Sequence, residues 1–112
     1  MHIIYAGVYG CSVNDITVGT VRSGGQIQGK PEWNVTVTNN CVCPQRLIKL
    51  ACTGFRAVVE IDPSIFKREG ADKCLLIQGN NLAGSASASI KFSYAWDPPF
   101  TFFVSEAVTV MC

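Results

Sequence analysis

The sequence predicts an all-β protein: a small antiparallel β-sandwich of about seven strands, stapled by disulfides and holding at most one short helical turn. Three observations predict it. Short runs alternate apolar and polar residues with a period of two, the mark of a half-buried strand. Glycine, proline and asparagine clusters punctuate those runs. Six cysteines, at positions 11, 41, 43, 52, 74 and 112, are spread from one end of the chain to the other. A small barrel is the alternative architecture.

The strands follow in order. In residues 15–21, Ile16 and Val18 share one side and Thr17 takes the other. Residues 33–38 alternate more cleanly, with Trp33, Val35 and Val37 on one face and Asn34, Thr36 and Thr38 on the other. Residues 47–52 and 57–61 are two further strands, separated by a turn or bulge at Thr53-Gly54. Residues 63–73 read as the helical piece. Asp62 caps it, Pro63 takes the first position, Ile65 and Phe66 pin a single turn, and Gly70 ends it. Residues 74–78 form a short apolar run suited to a central strand. In residues 86–96, Ala86, Ala88, Ile90, Phe92, Tyr94 and Trp96 alternate with small or polar residues, so the serine-rich stretch 85–89 is read as strand. Residues 102–110 close the chain in β-formers. Turns are expected at Ser23-Gly24-Gly25, Gly29-Lys30-Pro31, Asp62-Pro63, Gly79-Asn80-Asn81 and Asp97-Pro98-Pro99.

At 112 residues the chain is one domain. With 48% hydrophobic and 15% charged residues it is globular rather than disordered. The domain is placed at residues 11–112, and residues 1–10 are read as a signal-peptide remnant or a disordered N-terminus. The opening MHIIYAGVYG lacks a basic n-region and is short for a full signal. Secretion therefore assumes a signal peptide missing from this chain. No run approaches the roughly 18 apolar residues that span a bilayer, so membrane insertion is not expected. A net charge of +1, with Lys67-Arg68 and Lys91 scattered, gives no footprint for nucleic acid.

The cysteines suit neither zinc nor redox catalysis. Cys41-Val42-Cys43 has no second ligand pair, His2 is the sole histidine, and no C-x-x-C occurs. An even, dispersed set reads as a disulfide framework of Cys11, Cys41, Cys43, Cys52, Cys74 and Cys112, and implies an oxidising compartment. Cys41 and Cys43, two apart on an expected strand, point to the same face and are poor partners for each other. Each should reach a different part of the chain.

Enzymatic chemistry has little support. His2 near the terminus is a poor base, the carboxylates sit mostly beside turn residues, and no phosphate loop or D-x-D metal motif is present. No catalytic, metal or cofactor residue is assigned. Asn34-Val35-Thr36 is an N-glycosylation sequon whose acceptor Asn34 faces away from Trp33. Asn39-Asn40-Cys41 is the rarer N-x-C variant, with which a bridge at Cys41 competes. Trp96, Phe100, Phe102 and Phe103, interleaved with Pro98 and Pro99, form the sharpest interaction signal. In a regular strand at least one of Phe102 and Phe103 must face outward, and exposed aromatics anchor interfaces.

Taken in order, several residues carry a family resemblance. They are Cys11, Asp15-Ile16 and Val18; then Gly29-x-Pro31-x-Trp33-x-Val35-x-Val37-x-Asn39-x-Cys41; then Ile48, Cys52, Phe55, Ile61-Asp62-Pro63 and Phe66. Cys74-Leu75, Gly79, Phe92-Ser93-Tyr94-Ala95 and Cys112 complete the set. The chain resembles the plant tapetum determinant 1 family of secreted cysteine-rich proteins over about residues 11–112. The resemblance implies an extracellular ligand of a leucine-rich-repeat receptor kinase, acting without catalysis in anther cell-fate decisions. The competing expectation is a carbohydrate-binding module of the cell wall, using Trp33, Trp96 or Phe103.

Overall fold

The computed structural model describes residues 10–112. The expectations placed on His2 and on residues 1–9 lie outside the described residues. The described residues form seven strands: β1 (Ile16–Ile27), β2 (Lys30–Asn39), β3 (Gln45–Ala51), β4 (Phe66–Glu69), β5 (Lys73–Leu76), β6 (Ser89–Ala95) and β7 (Phe103–Thr109). They build two antiparallel sheets, one ordered β1-β2-β6 and the other β4-β5-β3-β7. The sandwich expectation holds, and the physical cause is alternation. On β2, Val35 and Val37 are buried, while Thr36 between them is only partly covered and Asn34 before them is exposed. On β6, Ile90, Phe92 and Tyr94 turn inward and Lys91 and Ser93 outward.

The inward faces meet in one core. Ile48, Leu50, Cys52, Cys74 and Leu76 come from the four-stranded sheet, and Val35, Val37, Ile90 and Phe92 from the three-stranded one. Phe55, Phe66, Phe92, Tyr94, Phe100 and Phe102 stack edge-on and tilted at one end of it. β1 and β7 form one open side of the sandwich. β4 and β6 form the other, where the rings of Phe66 and Phe92 touch at 5.1 Å.

Five local expectations are corrected. Residues 57–61 are not a strand. They run as a loop across the free edge of β6, which they meet through the Val58 N–H donating to the Ala95 carbonyl at 3.0 Å. The seventh strand is β4 instead, within the segment read as helical. Only one turn forms there: the Asp62 carbonyl accepts from Ile65 and Phe66, and its carboxylate accepts from the Ser64 N–H and hydroxyl. Beyond Phe66 no apolar stripe at helical spacing continues, so pairing with β5 wins. Gly70, at φ +70°, makes the hairpin turn rather than a helix end.

Ser23-Gly24-Gly25 does not end β1. It is a bulge within it, marked by the register shift between Arg22 and Gln26, and the hairpin turn falls at Gln28-Gly29. Residues 85–88 are not strand either. Ser85 and Ala86 take positive φ, and their N–H groups donate to the carbonyls of Cys41 and Asn39. That contact is close enough that a Cβ on Gly84 would lie 2.5 Å from the Val42 carbonyl oxygen.

The fifth correction concerns the cysteine pair. Cys41 and Cys43 lie in a bend after β2, not on a strand. The bend sends Cys41 to Cys11 and Cys43 to Cys112, while Cys52 bridges to Cys74 inside the four-stranded sheet. Buried Asn39 holds this bend. Its amide donates to the carbonyls of Cys43 (3.0 Å) and Leu82 (3.1 Å) and accepts from the Cys41 N–H (3.0 Å) and Gln45 Nε2 (3.3 Å).

Candidate partner-binding surface

The four aromatic residues singled out from the sequence separate once folded. Phe102 is buried among five other rings. Phe100 is half-buried, and its N–H donates to the Tyr94 hydroxyl at 2.7 Å. Burial of Tyr94 itself raises its pKa, against a smaller opposing effect of that hydrogen bond. Trp96 is half-buried in the loop after β6. Its carbonyl accepts from Trp33 Nε1 at 2.9 Å, and the Lys30 ammonium lies 5.1 Å from its ring centre. Phe103 alone projects, 67% exposed, and is the one exposed aromatic side chain among the described residues.

Phe103 stands where two surfaces meet. On one side is the groove between β1 and β7. There a hollow of about 290 Å³ lined by Trp33, Pro99 and Phe100 runs past Val18 and Phe102 into a second of about 270 Å³ that ends at Phe103. On the other side is the outer face of the four-stranded sheet. Register places Phe103, Ala51, Lys73 and Glu69 in one cross-strand row. Glu106, Lys49, Leu75 and Lys67 form the next, with Val108 beside Arg46 beyond. Sequence reasoning missed this face. Its signal was the outward parity of Lys49, Ala51, Lys73 and Leu75, obscured in β3 by a bulge where Leu47 takes φ +50°.

Two ion pairs lace the face. Lys49 meets Glu69 at 2.9 Å, reaching over β5, and Lys73 meets Glu106 across β3. The face thus carries four cations, Arg46, Lys49, Lys67 and Lys73, against two carboxylates. The hydrogen bond and charge of Glu69, reinforced by Glu106, raise the Lys49 pKa above 10.5. The hydrogen bond from Lys73 lowers that of Glu106 below 4.5 despite some desolvation. Asp62 is lowered as well, by the hydrogen bonds from Ser64.

The pH dependence follows from these directions. A depressed carboxylate contributes stability that is present above its unfolded pKa and lost as pH falls through its folded one. The raised Lys49 contributes below 10.5 and loses that contribution as pH rises through its folded value. The urea midpoint is therefore expected to fall as pH drops from 4.5 toward about 3. Glu106→Gln should show a lower midpoint at neutral pH and a shallower acid loss, with the Asp62 part retained. An acid limb unchanged by Glu106→Gln would rule out this pair as a contributor.

The outer face of the three-stranded sheet differs in kind. Asn34 lies exposed on its middle strand, flanked by Val21 and Ser93, and its Oδ1 accepts from the Ser93 hydroxyl at 2.6 Å. Thr36, Thr38, Ser89 and Lys91 continue this face. Among the described residues, no three His, Cys, Asp or Glu side chains converge to hold a metal.

Comparison with known proteins supplies the family. The family model described as "Tapetum determinant 1, C-terminal" matches residues 12–111. The chain belongs to the tapetum determinant 1 family. Curated relatives agree with this membership. TPD1 protein homolog 1A of Oryza sativa subsp. japonica is 32% identical over 111 residues, covering 91% of this chain and 48% of the relative. TPD1 protein homolog 1 of Arabidopsis thaliana is 28% identical over 93 residues, covering 81% of this chain and 52% of the relative. The chain spans about half the length of the curated relatives it matches. No solved structure matches. Within this tapetum determinant 1 domain, the matched region takes in the sandwich and all but the outermost two cysteines, Cys11 and Cys112.

Proposed function

We propose that this protein is an extracellular signalling ligand of the tapetum determinant 1 type, recognised by the ectodomain of a leucine-rich-repeat receptor kinase and acting without catalysis. The observation that carries the reading is Phe103. A large apolar ring held 67% exposed on an edge strand, beside a face rich in cations, is the arrangement of an interface anchor rather than of a core residue. The surplus of cations suits an acidic partner surface and would speed its encounter. Three disulfides fit secretion into the apoplast and keep the face rigid before binding, which reduces the ordering cost of association.

A sugar on Asn34 fits the same picture. It would cover the outer face of the three-stranded sheet and leave the Phe103 face free. The glycan-binding alternative is less well served. Trp33 and Trp96 are joined by a hydrogen bond, and each has a cation over its ring, Arg22 at 5.6 Å and Lys30 at 5.1 Å.

The test is a parallel pull-down of the oxidised domain on immobilised receptor ectodomains and on wall polysaccharides. Wild type is expected on an ectodomain. Phe103→Ala should weaken that binding by about 30-fold or more, the scale of an interface hot spot. Retention on polysaccharide alone would sink the ligand reading.

A further inference from the structure

The side of the sandwich formed by β4 and β6 holds a second concavity, at the opposite edge of the four-stranded sheet from Phe103. The loop of residues 52–65 folds over these two edges and leaves a cleft of about 460 Å³. Its floor is apolar, made by Phe55, Ile61 and Phe66, each nearly buried. Three charged side chains line it: Glu60, Lys67 and Arg68.

Arg68 is already set in place. Its Nη2 donates to the Phe55 carbonyl, and its guanidinium carbon lies 5.5 Å from the centre of the Phe55 ring. One donor of the fork is used there, and a guanidinium carries five. Lys67 and Glu60 take part in no ion pair among the described residues.

We propose that this cleft binds a small amphipathic organic acid, with its apolar body on Phe55 and Phe66 and its carboxylate against Arg68 and Lys67. The volume lies within the range of small-molecule pockets, roughly 300–1,000 Å³. Two cations outweigh the single carboxylate of Glu60, so the cleft favours an anion. The apolar floor lowers the local dielectric, which strengthens that preference. A guanidinium held by stacking and by a carbonyl loses little freedom when it pairs with a carboxylate, whose geometry its planar fork matches. The site is bounded by one loop and one short strand, which suits a compact ligand better than an extended polypeptide. The proposal does not rest on the receptor reading above: Lys67 stands on the rim shared with the outer face of the four-stranded sheet, whereas Glu60 and Arg68 belong to the cleft alone.

Phenylacetate, with its neutral amide phenylacetamide as control, is titrated into the oxidised chain and followed by backbone ¹H–¹⁵N shifts. Saturable shifts confined to residues 55–68 are expected for the acid, with the amide at least about 10-fold weaker. Lys67→Gln should weaken the acid several-fold and Glu60→Gln should tighten it. Both side chains are exposed and make no ion pair, so these variants keep the fold even if Arg68→Gln, expected to abolish binding, does not. The proposal is overturned by absence of saturable shifts, by equal binding of acid and amide, by shifts clustered along β7, or by a Glu60→Gln variant that binds the acid more weakly.

Discussion

Phe102→Ala is expected to lower stability by about 3–5 kcal/mol, while Phe103→Ala, one residue along, lowers it by less than about 0.5 kcal/mol. The Phe102 ring lies 4.8 Å from that of Phe100, 5.1 Å from Phe55, 5.8 Å from Phe66 and 5.9 Å from both Phe92 and Tyr94, centre to centre. These residues come from β4, β6 and both loops that close this end of the core, so a cavity here loosens both sheets. Edge-to-face pairs add to the burial they accompany. Neighbouring rings cannot slide in to fill the space, because Tyr94 is fixed by its hydrogen bond to Phe100 and Phe55 by the stacked Arg68. Phe103 faces water and leaves no cavity. Since small domains are stable by only about 5–15 kcal/mol, the first loss is a large fraction of the whole. Urea midpoints of the two variants check the prediction. Similar losses at both positions would mean that the ring cluster is not the centre of the core.

That contrast shows what was legible in the sequence. Alternation gave the inward set on β2 and β6 without help from any contact, because side-chain parity is a local property of an extended chain. Parity also required one of Phe102 and Phe103 to face out, yet it could not say which, since β7 begins at Phe103 and its phase depends on pairing with Ala51. The aromatic-proline cluster was chosen by residue type. Folding split it among core, half-buried loop and exposed edge. Three of the misread segments share one cause. In residues 57–61, 63–73 and 85–88 the local pattern is short or ambiguous, and the outcome was decided by distant partners: Ala95 for the first, β5 for the second, and the carbonyls of Asn39 and Cys41 for the third. The cationic outer face of the four-stranded sheet was hidden for the same reason, because its rows join residues from four separate stretches of chain.

Asn39→Ala is expected to cost about 3–4 kcal/mol and to lower the yield of correctly bridged protein on oxidative refolding. The sequence marked Asn39 only as one position in the family resemblance and as the acceptor of a rare sequon. In the fold it is fully buried, and its amide makes four hydrogen bonds. Because its Nδ2 already donates to two carbonyls, and Cys41 is bridged to Cys11, that sequon is not open to a glycan. Each net hydrogen bond contributes roughly 1 kcal/mol, and a buried group left unsatisfied costs more. The truncation removes the acceptor of the Cys41 N–H and one of two partners from both the Leu82 carbonyl and Gln45 Nε2. Those groups set the path of the chain between Cys41 and Cys43, so the directions of two bridges depend on one amide. Asn39→Asp separates shape from hydrogen bonding. At neutral pH its carboxylate would face the Cys43 and Leu82 carbonyls with no proton to donate, which raises its folded pKa above the unfolded value. A raised acid is destabilising while ionised and recovers as pH falls through its folded pKa. The aspartate variant should therefore regain stability on mild acidification, over a range above pH 4.5 where wild type is still unaffected by Glu106. Urea midpoints against pH and disulfide mapping after refolding are the measurements. An alanine variant within about 1 kcal/mol of wild type, with native bridges, would show that the disulfides set this bend without the amide.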